Sequence, residues 1–312
     1  MDTTDRTYDV AIIGGGAAGL SAALVLTRAL RSVVVIDAAR PRNAPAARMQ
    51  GFLSRDGMAP SELLAVGRQE VLGYGGELVA DTVTDVVRTP TGELALSLAS
   101  GGSVVARRLL MVTGLRDEVP DLPGVAGRWG RDLLHCPYCH GHEVRDQPLG
   151  VLGGAPGAVA HALLVRQWSA DVVYFARSSP LTGEEVERLA ARGIEVVVGE
   201  VARLVVEDDR LTGVELADGR VVPRAAVFVR PHLVPHSALL VALGAGVDHL
   251  GWPLVDASGR TTVEDVWAAG NAADPRAQVI TAAGQGSAAA IAINNDLVEQ
   301  DVLDAVLTNE KR

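Results

Sequence analysis

The chain is poor in several things. It has two cysteines, one lysine (Lys311) and 4% aromatic residues among 312, and its net charge is −10. Two cysteines exclude a disulfide-stapled scaffold and fit a reducing compartment, where a CxxC pair is more often catalytic or metal-binding than structural. There is no Lys/Arg-rich run, so no basic face is expected for a nucleic-acid backbone. Long apolar runs are also scarce. The best is Val10–Leu26, "VAIIGGGAAGLSAALVL", which is Gly/Ala-rich at its centre. The segment before it, "MDTTDRTYD", carries three Asp and one Arg. The run therefore reads neither as a signal peptide nor as a membrane span. A cytoplasmic protein without membrane partners is expected.

What is present is a globular balance, 48% hydrophobic and 21% charged, in a length that suits about two domains. Tyr8–Ile13 predicts a buried strand, Ala17–Leu30 an apolar helix and Val33–Ile36 a second strand. Between the first two lies Gly14-x-Gly16-x-x-Gly19, and Asp37 closes the second strand. This is a βαβ unit with the dinucleotide fingerprint. Gly14 permits the tight turn, Gly16 lets the backbone approach a pyrophosphate on the helix N-terminus, and Gly19 lets helix and strand pack closely. Asp37 is placed to accept hydrogen bonds from ribose hydroxyls. The loop alone does not separate FAD from NAD.

Further on, Leu63–Val71 reads as helix, and "TVTDVV", "LALSLAS" and "VVARRLLMVTG" as strands joined by glycine turns. The proline-bearing "LRDEVPDLPG" marks a boundary. A second βαβ unit starts at Pro148, followed by a helix over Gly183–Arg192 and further strands. The C-terminal part gives two short strands, a turn and a long Ala-rich helix. The expected fold class is α/β with two nucleotide-binding, Rossmann-like domains. One is split over 1–116 and 245–312, and the other, 117–244, is inserted.

Both cysteines lie in "HCPYCHGHE", residues 135–143. Three readings compete. Zinc would take Cys136 and Cys139 with His232 and His236 of "HLVPH", two imidazoles at helical spacing. The gap between the pairs is too long for a compact finger and holds a βαβ unit, so no metal is expected. A structural disulfide across two residues closes a tiny loop and stabilises little. A redox pair needs an electron acceptor.

The fingerprint at 14–19, "VTG" at 112–114, the CxxC at 136–139 and "TVEDVWAAGNAADPRAQVITAAGQGSAAAIA" near the C-terminus together resemble the low-molecular-weight thioredoxin reductases. The resemblance covers nearly the whole chain. It implies FAD held by Gly14, Gly16, Ala17, Ala18, Gly19, Asp37 and Val83, with Thr113 and Gly114 beside the adenosine side. Gly270 and Asn271 would meet the pyrophosphate and ribityl, and Gln278 and Val279 the flavin ring. The family usually has Asp where Asn271 stands; Asn still offers an acceptor and a donor. Cys139 would face the flavin and Cys136 would exchange with the substrate. Pro137 suits a first helical turn, whose N-terminus favours thiolates. A homodimer is likewise implied.

In that family the inserted domain binds NADPH. Here its loop reads Gly153-x-Ala155-x-x-Ala158. The middle glycine is lost, Pro156 removes an N–H from the helix start, and "FARSSPLT" offers Arg177 alone for a 2′-phosphate. NADPH is expected not to bind, leaving a scaffold domain.

Thioredoxin reductases typically carry Asp after the pair, and this chain has His140. A neutral imidazole is a good base toward a thiol near pH 7. The string "CPYCHGHE" is similar to the gliotoxin- and holomycin-type dithiol oxidases of natural-product pathways. These use FAD, lack a working NADPH site, and close disulfides in small dithiols such as dithiolopyrrolones and epidithiodiketopiperazines, returning electrons to O2 as H2O2. "ARPRNAPAARMQGFLSRDG", residues 39–57, is also similar to theirs and implies FAD contacts at Arg42, Asn43 and Gln50. His142 and Glu143 are candidates to orient His140, and His135 reads as a packing residue. The rivals are a reductase of a thioredoxin-like disulfide, fed by NAD(P)H or another donor, and a non-enzymatic flavin/thiol redox sensor.

Overall fold

The structure, a computed structural model, describes residues 7–177 and 179–310. Most of the acidic lead segment, Ser178 and Lys311 lie outside the described residues. Packing divides the chain into two units. The first takes the chain up to Ala44, Met58–Arg116 and Val234 onward; the second takes Pro45–Gly57 and Asp117–Leu233. One junction falls at 116/117. The other falls at 233/234 rather than 244/245. The cause is Leu240 on the short helix Ala238–Ala242, which buries completely in the first unit's core beside Ala245. Burial of one leucine contributes about 1.5–3 kcal/mol, enough to fix so short a segment. Nor is the stretch before 116 continuous, because Pro45–Gly57 packs with the second unit.

The first unit is built on a seven-stranded sheet. Its central strand Thr7–Ile13 runs parallel to Val33–Ile36 and to Ser103–Met111. The front half of Ser103–Met111 pairs antiparallel with Leu94–Leu98, and its far end pairs parallel with Val266–Ala268. Val33–Ile36 and Val266–Ala268 are apolar and buried at every residue, as strands covered on both faces are. Ile13 is level with Ile36 and Met111, and Met111 with Ala268. The residues that follow each strand, Gly14, Asp37, Val112–Gly114 and Ala269–Gly270, therefore emerge at one carboxyl edge. That is where open α/β sheets bind ligands.

The helix of the first βαβ unit is Ala17–Arg28. It stops two residues before the expected end, and Leu30 turns into the left-handed region at φ 62°. Among the described residues no helix is long and apolar enough to cross a membrane. The apolar run Val10–Leu26 is instead a strand, a turn and a helix. The C-terminal helix spans Val279–Glu310.

The second unit carries a five-stranded parallel sheet in the order Glu195–Val198, Val172–Arg177, Leu149–Leu152, Ala226–Phe228, Leu133–Leu134, and a three-stranded antiparallel sheet. The two-residue strand Leu133–Leu134, which the sequence does not announce, pairs with Val227–Phe228 and ends where "HCPYC" begins. The chain passes between units through Leu115–Glu118 and His232–Pro235, which pair as a two-stranded sheet. "HLVPH" is thus extended, and its two histidines do not stand at helical spacing.

Candidate active site

The first glycine loop is packed to its limit except at one point. Gly14 has φ 115°, and a Cβ there would lie 2.4 Å from Val112 O. A Cβ on Gly19 would lie 1.9 Å from Gly14 O, so only glycine lets this helix meet the strand. Gly16, by contrast, has open space: a Cβ would meet nothing within 4 Å. It caps the 12-residue helix with extended backbone and no side-chain hydrogen bond, and there is no acid in the first turn. Uncapped N–H groups beside an open backbone form an anion seat. The loop therefore fits a dinucleotide pyrophosphate, with Ala17, Ala18 and Gly19 supplying the first turn.

Other expected FAD residues fall at the same carboxyl edge. The Asp37 carboxylate pairs with Arg68 at 3.3 Å, a neighbour the sequence reading missed. Thr113 and Gly114 are tied to His236: Thr113 Oγ1 donates to His236 O (2.9 Å), His236 Nδ1 lies 3.0 Å from Thr113 O, and His236 N donates to Gly114 O (3.1 Å). His236, weighed above as a zinc ligand, is a strut of this loop. Asn271 Nδ2 donates to Asp274 O at 2.9 Å and Ala277 O at 3.0 Å. An aspartate could make neither bond. Its Oδ1 is left toward Arg42 Nη1 at 3.4 Å, which brings two predicted residues together. Gly270 opens the short turn Gly270–Ala272. Gln278 O accepts Ala282 N at 2.8 Å, and Val279 begins the terminal helix. Val83 is buried in the unit's core, and Asn43 sits half-buried in the turn at 42–45. Gln50 belongs to the segment Pro45–Gly57, which packs with the second unit.

In the second unit Cys136 and Cys139 form a disulfide with Cα atoms 5.2 Å apart. Both are half-buried. Cys136 caps and Cys139 lies within a helix of one turn, Pro137–His140, so its dipole is much weaker than that of a full helix. Cys136 O accepts Cys139 N and His140 N, each at 3.1 Å. Among the described residues no three His, Cys, Asp or Glu gather into a metal-binding group.

His140 is the best-defined polar group beside the pair. Its Nδ1 is buried without a hydrogen-bond partner among the described residues. Burial pushes its pKa below the ordinary histidine value, opposed by the Glu143 carboxylate and the Cys136 carbonyl. The imidazole is therefore neutral at pH 7. Gln50 Nε2 donates to Glu143 Oε1 at 3.1 Å. His142 is exposed, and its backbone carbonyl, not its ring, is what Arg145 binds. Of the two candidate orienters, Glu143 is the one whose charge favours the protonated His140 ring. His135 is more than packing: its ring Nδ1 lies 3.3 Å from Val229 O, and its carbonyl lies 2.9 Å from His161 Nε2.

The second glycine loop is altered further than its sequence says. The helix begins at Ala158 with Gly157 as its cap at φ 77°. Ala158 N is already spent on Ala155 O at 3.1 Å, and Pro156 has no N–H to offer. Positive charge is nonetheless present. A Cβ on Gly154 would lie 3.6 Å from the Arg177 guanidinium, and one on Gly157 would lie 3.5 Å from that of Arg230. Arg230 was missed because it is remote in sequence and follows a different strand.

The family profile described as pyridine nucleotide-disulphide oxidoreductase matches residues 8–286. The crystal structure of HlmI is 55% identical, covers 100% of this chain and 99% of that one, and superposes with a TM-score of 0.97. Thioredoxin reductase sirT of Leptosphaeria maculans is 28% identical over 97% of this chain and 98% of its own. Thioredoxin reductase tcpT of Claviceps purpurea is 37% identical over 54% of each, so the chain spans about half the length of that curated relative.

Proposed function

The chain belongs to the pyridine nucleotide-disulphide oxidoreductase family, and from that premise we propose that it is an FAD-dependent dithiol oxidase. It would close an intramolecular disulfide in a small-molecule dithiol and deliver the electrons to O2 as H2O2. Family membership itself makes the chain an oxidoreductase and implies FAD; its fold is that of the thioredoxin-reductase-like proteins. The observation that carries the finer reading is a neutral, half-buried His140 directly after the CxxC.

In this reading a substrate thiolate attacks Cys136 Sγ, a mixed disulfide forms, and Cys139 leaves as thiolate. His140 takes the proton of the second substrate thiol. That thiolate attacks the substrate's own bridged sulfur, the substrate disulfide closes, and Cys136 departs. Two electrons have then passed from substrate to the cysteine pair, one substrate proton rests on His140, and the other was released to solvent when the first thiol ionised. FAD, when bound, would supply the two-electron acceptor between the reduced cysteine pair and O2. Gly14, Gly16 and the first turn of the Ala17–Arg28 helix would hold its pyrophosphate.

A base acts only when unprotonated, so turnover falls as pH drops through the lowered pKa of His140. The acid limb is expected below the ordinary histidine value of 6.5. His140→Ala should lose about 10²-fold in kcat/KM at pH 7 and lose that limb; an unchanged profile would remove the base assignment.

Tyr138 stands between the cysteines, 64% exposed and edge-on to Trp168 with ring centroids 5.5 Å apart. It gives a ring-bearing substrate an aromatic face. Tyr138→Leu is expected to raise KM for an aromatic dithiol about three- to tenfold relative to dithiothreitol. Equal shifts for both would contradict this.

The altered second loop supports a domain that does not use NADPH. Anaerobic mixing with NADPH should leave the flavin oxidised. Rapid bleaching would favour the rival reductase of a protein disulfide, the reading that Arg177 and Arg230 at the loop favour. A second copy of the chain is the proposed partner of the terminal helix, where Val298, Val302 and Val306 are 46–50% exposed at four-residue spacing.

A further inference from the structure

The helix Ala158–Val165 is apolar except for one residue, His161. It is 4% exposed, set edge-on against Phe228, and its Nε2 lies 2.9 Å from the His135 carbonyl. A carbonyl only accepts, so Nε2 carries the proton and Nδ1 is bare; Nδ1 has no partner among the described residues. An apolar side chain would fill this space without burying an unsatisfied nitrogen, which carries a desolvation cost.

The His135 carbonyl belongs to the peptide that carries Cys136. The strand ladder ends one residue earlier, with Val229 N donating to Leu134 O at 2.8 Å. Beyond it the chain leaves the sheet, and His161 supplies the next bond. On the far side, Cys136 O is held by Cys139 N and His140 N. Cys136 is thus clamped before and after, and the clamp before it comes from the helix behind the altered second glycine loop. Burial, followed by the nearby charges of His135 and Arg230, lowers the pKa of His161 to about 4. The ring therefore stays neutral around pH 7, with its proton on Nε2.

We propose that His161 is a positioning residue for exchange at Cys136, its Nε2–H fixing the His135–Cys136 peptide in the orientation that presents Sγ to an incoming thiolate. This rests on exchange occurring at Cys136 but not on the identity of substrate or electron acceptor.

The test compares three variants as flavoproteins. Gln places an N–H where Nε2 stands; Asn and Met do not. Two readouts are taken in the reduced protein: the rate of Cys136 alkylation by iodoacetamide, and the midpoint of the cysteine pair in a glutathione buffer. His161→Gln should stay within about twofold of wild type. His161→Met and His161→Asn should slow alkylation about tenfold and shift the midpoint. Variants that unfold at lower temperature yet alkylate and titrate like wild type would overturn the proposal and make His161 a core residue only. If Met and Asn do not fold, nitrogen NMR of the wild type decides: a proton on Nδ1 in either redox state overturns it. Wild-type alkylation at Cys139 instead of Cys136 would refute the exchange assignment itself and is read separately.

Discussion

Gly16→Ala is expected to give a folded protein that cannot hold FAD. The first half of that result follows from space and backbone. Gly16 has φ −79°, which alanine adopts freely, and its Cβ would meet no atom within 4 Å. Unfolding temperature and helix content of the apoprotein should match wild type. The second half follows from what the space is for. A methyl group there holds a pyrophosphate away from the first-turn N–H groups. Loss of two hydrogen bonds to a charged group, at about 1.5–3 kcal/mol each, weakens binding by roughly 10²–10⁴-fold. Flavin titration of apoprotein measures it. Unchanged affinity would place the cofactor elsewhere. Gly19→Ala is the contrasting control, because its Cβ would strike Gly14 O at 1.9 Å and should disturb the fold itself.

The two cysteine variants should behave differently from one another. Cys136→Ser removes the sulfur that the substrate attacks, and a serine oxygen cannot form the mixed disulfide. Loss of dithiol oxidation on the order of 10³–10⁶-fold is expected, as for removal of a covalent nucleophile. Cys139→Ser also stops turnover but leaves the Cys136 thiol. Run backward, that thiol opens the product disulfide and is held as a mixed disulfide, with no Cys139 to release it. Mass spectrometry should find a substrate adduct on Cys139→Ser and none on Cys136→Ser. The opposite pattern would exchange the roles of the two residues. Exposure does not separate them, since both are half-buried.

Much of this site is legible in the sequence, and the parts that are not share a cause. Val33–Ile36 and the fingerprint turn follow from local signals: apolar continuity, glycine spacing and a closing acid. Asp37 and Gly114 come to the same edge because parallel strands in register end together. Gln50 does not follow from such signals. Its neighbours suggest the first domain, but Pro45–Gly57 packs with the second unit and Gln50 binds Glu143. Arg68 beside Asp37, Arg230 beside Gly157 and His236 beside Thr113 are tertiary pairings between distant segments, and no periodicity encodes them. His161 did leave a trace: a lone histidine in "AVAHALLV" breaks an otherwise apolar helix. That marks a buried polar group needing a partner, though not which carbonyl it serves. The two histidines of "HLVPH" are not a helical pair for a simple reason. Spacing of four is helical only in a helix, and this segment pairs as a strand.

What the flavoprotein does with thiols in air separates an oxidase from a reductase. Oxygen uptake should be followed with a panel of small dithiols and, separately, with reduced thioredoxin, in the absence of NADPH. Catalytic uptake with the small dithiols, one H2O2 formed per disulfide closed and little activity on thioredoxin, is the predicted result. No uptake with any dithiol, together with NADPH-driven reduction of a protein disulfide, would contradict it.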